Sequence, residues 1–298
     1  MRLEHIAVGV DFSEPSLQAA RWVANYFGRG ADVVLVHAVD IPPSPRFLGH
    51  RFASRDLVLE TQCEGAESRL AKLIESFPGG RGRCVVRVGR APEVIEKVAR
   101  EIDADVIVAG KHGRREWPGR GTGSTAERLS RGCGIPVMLV ANPRQAAPAR
   151  LLVALDDDDV VDWVLGATQM LSERFGATVT AVHVVSNAVL SHVLSMAAVS
   201  GDEQLNGAEI QEEFRLDADR WLRRVGAAGL PRDRVDYVAA FGHPAEEILN
   251  VANRISADLV IMGSRRPGPL RRAVLGTVAG EVLQRASCPV LIAHEPGD

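Results

Sequence analysis

Apolar positions fall along this chain in two patterns. Short runs dominated by Val, Ile and Leu, without polar alternation, occupy Ile6–Val10, Val33–Val39, Cys84–Val88, Val106–Ala109 and Pro136–Val140. A strand apolar at successive positions is buried on both faces, which is the mark of a parallel sheet covered by helices. The intervening stretches Ser16–Tyr26, Leu57–Phe77, Pro92–Glu101 and Thr125–Arg131 carry apolar residues at helical spacing. Strands alternating with helices in this way, joined by right-handed crossovers, predict a doubly wound α/β sheet of five parallel strands in the order 3-2-1-4-5.

The same series then returns. HIAVGVDFSEPSLQAARWVANYFG reappears as LLVALDDDDVVDWVLGATQMLSERFG, VVLVHAVD as VTAVHVVS, and VGRAPEVIEKVAREIDADVIVAGKHG as FGHPAEEILNVANRISADLVIMGSRR. Asp11 pairs with Asp156, His37 with His183, Gly110 with Gly263, Gly123 with Gly276 and Pro136 with Pro289, always in the same order. A repeat of this length is a tandem duplication. It divides the chain into domains at 1–144 and 149–298, joined by a polar, Pro/Ala-rich linker around Pro143 to Arg150.

Composition changes this picture little and excludes several classes. A net charge of -3 supplies no field favouring nucleic acid or an anionic membrane. No apolar run approaches the roughly 18 residues that span a bilayer. Met1 to Glu4 lead straight into a strand, so no signal peptide is expected, and the protein reads as soluble and cytoplasmic. Cys63, Cys84, Cys133 and Cys288 form no C-x-x-C pair and lie near no His cluster. They read as reduced, mostly buried thiols rather than a metal site or a disulfide frame.

The candidate chemistry lies between Asp105 and Asn142, where a buried strand runs into a glycine-rich basic loop, a helix opening at Ser124, and a second buried strand. Unhindered backbone at a strand's carboxyl end facing free helix N–H groups makes a phosphate site. No Lys follows Gly123, so this is not a Walker loop, and the glycines are too far apart for the dinucleotide fingerprint. Two residues separate Gly110 from Gly113, nine separate Gly113 from Gly123, and Ser124 follows directly. This spacing resembles the ATP-binding signature G-x2-G-x9-G-[ST] of the universal stress protein family, and the likeness covers essentially the whole chain.

The topology bears on the site independently. In an order of 3-2-1-4-5 the winding reverses between strands 1 and 4, and ligands sit at that reversal. Asp11 and Gly110 then form opposite lips of one crevice. Asp11 either contacts a ligand, through ribose hydroxyls, an adenine amino group or a magnesium ion, or caps the first helix, for which Ser13 is the better placed residue. The crevice and the family resemblance favour ligand contact.

The resemblance implies a Rossmann-like, adenine nucleotide alpha hydrolase-like fold holding ATP, with or without magnesium. Adenine and ribose are then expected against Gly9, Val10, Asp11 and Ala38, and the phosphates along Ala109, Gly110, Gly113, Gly123, Ser124 and Thr125. Gly110 and Gly113 would let the backbone approach without a Cβ, positive φ being one way of doing so. Lys111 stands where family members often carry Ser, and either adds a phosphate-binding charge or points to solvent; Arg114, Arg115 and Arg120 read first as solvated loop residues. In the second half a weaker site is expected at Asp156, Val184, Gly263, Gly276 and Thr277. There Arg266 replaces the middle glycine, Pro267, Pro269, Arg271 and Arg272 stiffen and charge the loop, and Asp156, Asp157, Asp158 and Asp159 place like charge near any polyphosphate.

His37, His112 and His183 invite a catalytic reading, but no nucleophile is evident beside the strand histidines, and structural roles suit them better. Motifs of adenylate-transferring enzymes of related architecture are absent. The resemblance therefore implies a non-catalytic or barely catalytic regulatory protein whose nucleotide occupancy sets conformation and partner choice. An ATP-dependent adenylyl- or phosphotransferase and a nucleotide-independent stress scaffold are the competing classes. Ile41–Arg55 and Ser186–Gln204 follow the second strand of each half and are either lids or passive loops. The fifth strands, PVMLVA and PVLIAH, are apolar edges; their mutual pairing within one chain would cover them, and a further homodimer of such pairs is compatible with the family's habit.

Overall fold

A computed structural model describes residues 3–28, 30–40, 55–78, 82–113, 122–157, 160–199, 207–264 and 275–294. The expectations for Arg114, Arg115, Arg120, Asp158, Asp159, Arg266, Pro267, Pro269, Arg271, Arg272 and segment 41–54 lie outside the described residues. The chain falls into two compact units, Arg2–Gln145 and Ala146–Glu295.

The first unit runs β1 (His5–Gly9), α1 (Glu14–Tyr26), β2 (Asp32–Val39), α2 (Arg55–Glu75), β3 (Arg83–Val88), α3 (Ala91–Glu101), β4 (Val106–Gly110), α4 (Ser124–Gly132) and β5 (Val137–Val140). Its strands lie side by side as β3-β2-β1-β4-β5, all ladders parallel, which is the expected order. The second unit runs β6 (Arg150–Ala154), α5 (Val161–Phe175), β7 (Thr178–Ser186), α6 (Asn187–Val199), α7 (Gly207–Gly229), β8 (Val235–Gly242), α8 (Pro244–Arg254), β9 (Leu259–Gly263), α9 (Thr277–Arg285) and β10 (Val290–Ala293). The order β8-β7-β6-β9-β10 repeats the first, again in parallel.

Burial follows the sequence pattern. Ile6, Ala7 and Val8 of β1 and Val106, Ile107 and Val108 of β4 are at most 1% exposed, as continuous apolar runs require when both faces are covered. α1 packs on β4, α3 on β1 and β2, and α2 on β3. The outer strand β3 instead carries Arg83 and Arg87, paired with Asp32 and Glu101, which keeps an exposed edge polar.

The duplication extends to backbone detail. Asp105 Oδ2 accepts the amides of Glu4 and His5 at 2.7 and 2.9 Å, and Asp258 Oδ2 accepts those of Ala149 and Arg150, both at 3.0 Å. Each carboxylate thus fastens the start of its unit's central strand. Left-handed backbone recurs at matched places: Asp103 (φ 49°) and Ser256 (φ 51°) after α3 and α8, and Gly89 (φ 148°) and Gly242 (φ 146°) before them.

Two expectations need correction. Ser186–Gln204 was expected as a lid or passive loop, yet Asn187–Val199 of it is helix α6. Its polar residues Asn187, Ser191, His192 and Ser195 stand at i, i+4, i+5 and i+8, so a helical spacing is present in the run NAVLSHVLSMAAV, within a segment expected only as an excursion between strands. Of the four thiols, Cys133 alone is buried and Cys63, Cys84 and Cys288 are partly exposed, because the latter three sit near surfaces rather than beneath them. Burial pushes the Cys133 thiol up to about 11, so it stays protonated through neutral pH. Iodoacetamide at pH 8 is expected to label the other three in the folded protein and Cys133 only after denaturation. Labelling of Cys133 at the same rate as Cys63 would show that the α4–β5 corner opens readily.

Candidate functional site

β1 is flanked by β2 on one side and β4 on the other, so the winding reverses along its β4 edge. Gly9 stands in register with Val36 of β2 and Ala109 of β4, and this row ends the regular pairing at the carboxyl side of the sheet. Beyond it opens a cavity of about 270 Å³. All ten residues expected in the first half line it. Gly9, Val10 and Asp11 come from the end of β1, and Ala38 from β2. Ala109, Gly110 and Gly113 come from the end of β4 and the loop after it, and Gly123, Ser124 and Thr125 from the start of α4. The volume is a little below the roughly 300–1,000 Å³ usual for ligand pockets.

The end of the cavity between β1 and β2 is made of backbone. Val10 N–H donates to the Val36 carbonyl at 2.9 Å, and peptide orientation along a strand repeats every second residue. The peptide groups of Ala38 therefore face the same way, past the end of β1, where a heterocycle finds a donor and an acceptor. His37 Nδ1 lies 2.6 Å from the Val10 carbonyl, so that nitrogen carries the proton and donates. His183 does the same to Leu155 at 2.9 Å. Both histidines thus tie the second strand of a unit to the end of its first, the structural role expected of them. The Phe12 ring packs on His37 with centroids 4.7 Å apart and has the Arg69 guanidinium carbon 3.7 Å from its own centroid, although Phe12 itself has φ 63°. A left-handed aromatic residue is uncommon, and this stacking between β2 and α2 holds it.

Asp11 is oriented by the β1–α1 turn. Its Oδ1 accepts the Ser13 amide at 2.9 Å and the Ser13 hydroxyl at 2.5 Å, while Asp11 N–H donates to Ser16 Oγ at 3.3 Å. Ser13, not Asp11, is the cap of α1, its hydroxyl accepting Ser16 N–H at 3.4 Å. The capping alternative for Asp11 therefore falls to Ser13; Asp11 braces the turn through Oδ1 and lines the cavity.

The loop ends on the α4 side of the cavity are fastened together. Lys111 N–H donates to the Val140 carbonyl at 3.0 Å, and Gly123 N–H to the Lys111 carbonyl at 2.9 Å. Lys111 is 7% exposed, so its side chain does not point to solvent. The first helical turn closes with Glu127 N–H on the Gly123 carbonyl, and the amides of Ser124, Thr125 and Ala126 have no carbonyl partner within the helix. No side chain caps this end. It is an anion-receptive helix start opening on the cavity.

The motif glycines do not use positive φ; the described glycines that do are Gly82, Gly89, Gly134, Gly176 and Gly242. Close approach explains two of them. A Cβ on Gly110 would lie 2.8–3.0 Å from the Pro15 and Ser16 backbone, and one on Gly113 would lie 2.9 Å from Asp11 Oδ2. Gly123 has φ -69° and ψ 151°, open to any residue, and a Cβ there would meet nothing nearer than 3.5 Å. The space beside Gly123 is cavity.

Among the lining residues, Ser16 of α1 and Ala91 and Ile95 of α3 escaped the sequence reading, while His37 and His112, considered there for catalysis, also line the cavity. Ser16 had a signal in its spacing after Asp11, while Ile95 is indistinguishable in sequence from any other core residue of a helix. Among the described residues no group of three or more His, Cys, Asp or Glu side chains gathers in a way that would hold a metal ion.

The second unit has a matching cavity of about 280 Å³, and Asp156, Val184, Gly263, Gly276 and Thr277 all line it. The model of the universal stress protein family matches residues 2–141 and again 149–294. The chain belongs to this family. It is 27% identical to universal stress protein Rv2005c of Mycobacterium tuberculosis, over 99% of this chain and 98% of that protein. It is 30% identical to universal stress protein YxiE of Bacillus subtilis over 49% of this chain and 98% of that one, so a whole relative corresponds to one half here. A crystal structure of a universal stress protein from Archaeoglobus fulgidus covers 100% of this chain with 98% of its own, at TM-score 0.69 and 20% identity, which shows the shared fold. Membership of this family makes the chain a stress-response protein. Among the described residues no helix is long and apolar enough to cross a membrane.

Proposed function

We propose that this universal stress protein is a cytoplasmic, ATP-binding regulator that acts through nucleotide occupancy rather than catalysis, with ATP, alone or with magnesium, in the first cavity. One observation carries the reading: the ten residues that the family resemblance implies, spread from Gly9 to Thr125, converge on a single cavity with a helix start at one end and strand-end backbone at the other. The base lies against the Ala38 peptide groups, Asp11 meets the ribose, and the polyphosphate lies on the amides and hydroxyls of Ser124 and Thr125. Calorimetry of the full chain with ATP, with nucleotide release followed in parallel, tests it. Micromolar-range binding without ADP or AMP release supports the regulator; turnover would make it an enzyme, and absence of any binding would remove the reading.

Asp11 separates binding from folding. Asp11→Asn keeps an oxygen for the Ser13 amide but loses the charge, whereas Asp11→Ala loses both. Asp11→Ala is expected to cost about 0.5–1.5 kcal/mol of stability from the lost turn bonds and a few-fold in ATP affinity. Asp11→Asn should retain most of the stability in urea while sharing the affinity loss. Equal affinity of Asp11→Ala and the parent chain would remove the ribose contact.

A further inference from the structure

We infer that the second cavity is a separate site for an uncharged nucleoside of the adenosine class, and that it rejects nucleoside triphosphate. The inference takes from the proposed function only the kind of ring that such a strand end accommodates.

The base end of the site is preserved. Leu155 N–H donates to the Val182 carbonyl at 2.9 Å, so the peptide groups of Val184 face past the end of β6 as those of Ala38 face past β1. The walls are heavier: Leu155, Val184 and Met262 stand where the first cavity has Val10, Ala38 and Ala109, yet the two volumes are about 280 and 270 Å³. A flat ring buried there gains more apolar contact. Asp156 at the end of β6 offers a carboxylate to sugar hydroxyls, as Asp11 does.

The phosphate end is altered in the opposite sense. Ser124 and Thr125 place two hydroxyls at the start of α4, whereas their counterparts Thr277 and Val278 leave one at the start of α9; Ser16, whose hydroxyl donates to the Ser13 carbonyl at 2.9 Å, has Val161 as its counterpart. Asp156 and Asp157 stand side by side and exposed, with Asp157 N–H on Asp156 Oδ1 at 3.0 Å. A polyphosphate leaving the ring toward α9 would lose a hydroxyl partner and pass a second carboxylate, while an uncharged sugar meets neither penalty. More apolar ring contact with fewer phosphate partners selects a nucleoside.

The site has its own reporter. The His183 ring lines the cavity and packs on Trp221 at 4.8 Å, whereas His37 in the first cavity packs on Phe12. Occupation of the second cavity is therefore read in Trp221 emission and occupation of the first is not.

The test uses the full chain saturated with ATP and titrated with adenosine, followed by calorimetry and fluorescence. The expected result is one equivalent of ATP without a Trp221 response, then one further equivalent of adenosine with a response that disappears in Trp221→Phe. Val184→Phe, which fills the ring end, should abolish adenosine binding and leave ATP binding unchanged. The triple change Val161→Ser, Val278→Thr, Asp157→Asn should raise ATP affinity of the second cavity at least tenfold. Two equivalents of ATP of similar affinity, an ATP-dependent Trp221 response, or adenosine that only competes with ATP would each overturn the inference. A chain that binds no ATP yet still shows the adenosine response would overturn the proposed function and leave this inference standing.

Discussion

Gly110→Ala is expected to destabilise the first unit by about 1–3 kcal/mol, toward the upper end, although alanine is compatible with the local backbone. The reason is distance. The added Cβ would stand 2.8 Å from the Pro15 carbonyl carbon, 2.9 Å from Ser16 nitrogen and 3.0 Å from Pro15 oxygen, all main-chain atoms of the first turn of α1. Main chain cannot swing aside as a side chain does, so α1 has to move off β4, against which it packs. That movement displaces Asp11 and Ser16, which are joined through the same turn, and ATP affinity falls with stability. Gly263→Ala is the internal control. Its Cβ would come within 2.4 Å of Val160 Cγ2, a closer contact but with the end of a side chain that can rotate. Urea denaturation of the two variants should show the larger loss at Gly110, by at least about 1 kcal/mol. A Gly110→Ala protein as stable as its parent would show that the α1–β4 contact is soft, and that this glycine belongs to ligand approach after all.

The fold was legible because its signals are compositional. Unbroken Val/Ile/Leu runs state burial on both faces without reference to any partner, and Ser13 before Glu14 and Pro15 announces a helix start wherever it occurs. That Asp11 and Gly110 share one cavity was legible for a different reason, since strand order decides which strand ends face each other, whereas Gly9, Ala38 and Ser124 were reached through the family resemblance. What stayed hidden depends on distance. Gly110 looks in sequence like a glycine for phosphate approach, yet the atoms nearest its missing Cβ belong to α1. Gly113 leaves room for the Asp11 carboxylate. Ile95 and Ala91 wall the cavity from α3, but their spacing is that of any amphipathic helix. α6 is different: Asn187, Ser191, His192 and Ser195 mark one face at helical spacing, so its period was there to read in a segment expected only as a connection between strands.

The contrast between the two cavities follows from the same logic. Duplication preserved what holds the frame, namely the strand-end histidines on Val10 and Leu155, the carboxylates fastening each central strand, and the left-handed residues around α3 and α8. It did not preserve all the hydroxyls facing the helix starts. Thr277 keeps the hydroxyl of Ser124, while Val278 stands for Thr125 and Val161 for Ser16, whose hydroxyl bonds the β1–α1 turn; the two sites thus differ both at the helix start and in the turn beside it.

Gly123→Val is expected to leave folding intact and to lower ATP affinity at least tenfold. Gly123 occupies ordinary extended backbone (φ -69°, ψ 151°), a conformation a β-branched residue adopts readily, and its Cβ position is 3.5 Å or more from the Gly113, Lys111 and His112 main chain. A valine side chain there is accommodated by the protein and intrudes on the cavity. It stands between incoming phosphate oxygens and the amides of Ser124 and Thr125, and charge-assisted hydrogen bonds of this kind contribute about 1.5–3 kcal/mol each. Loss of one bond accounts for about a tenfold drop and loss of two for a hundredfold or more. Gly110→Ala and Gly123→Val thus divide one signature into a residue that the protein needs for packing and a residue that the ligand needs for access. Calorimetry with ATP, beside circular dichroism and urea denaturation of the same samples, makes the comparison. Unchanged affinity in a folded Gly123→Val protein would remove the phosphates from the start of α4, and the regulator reading with them.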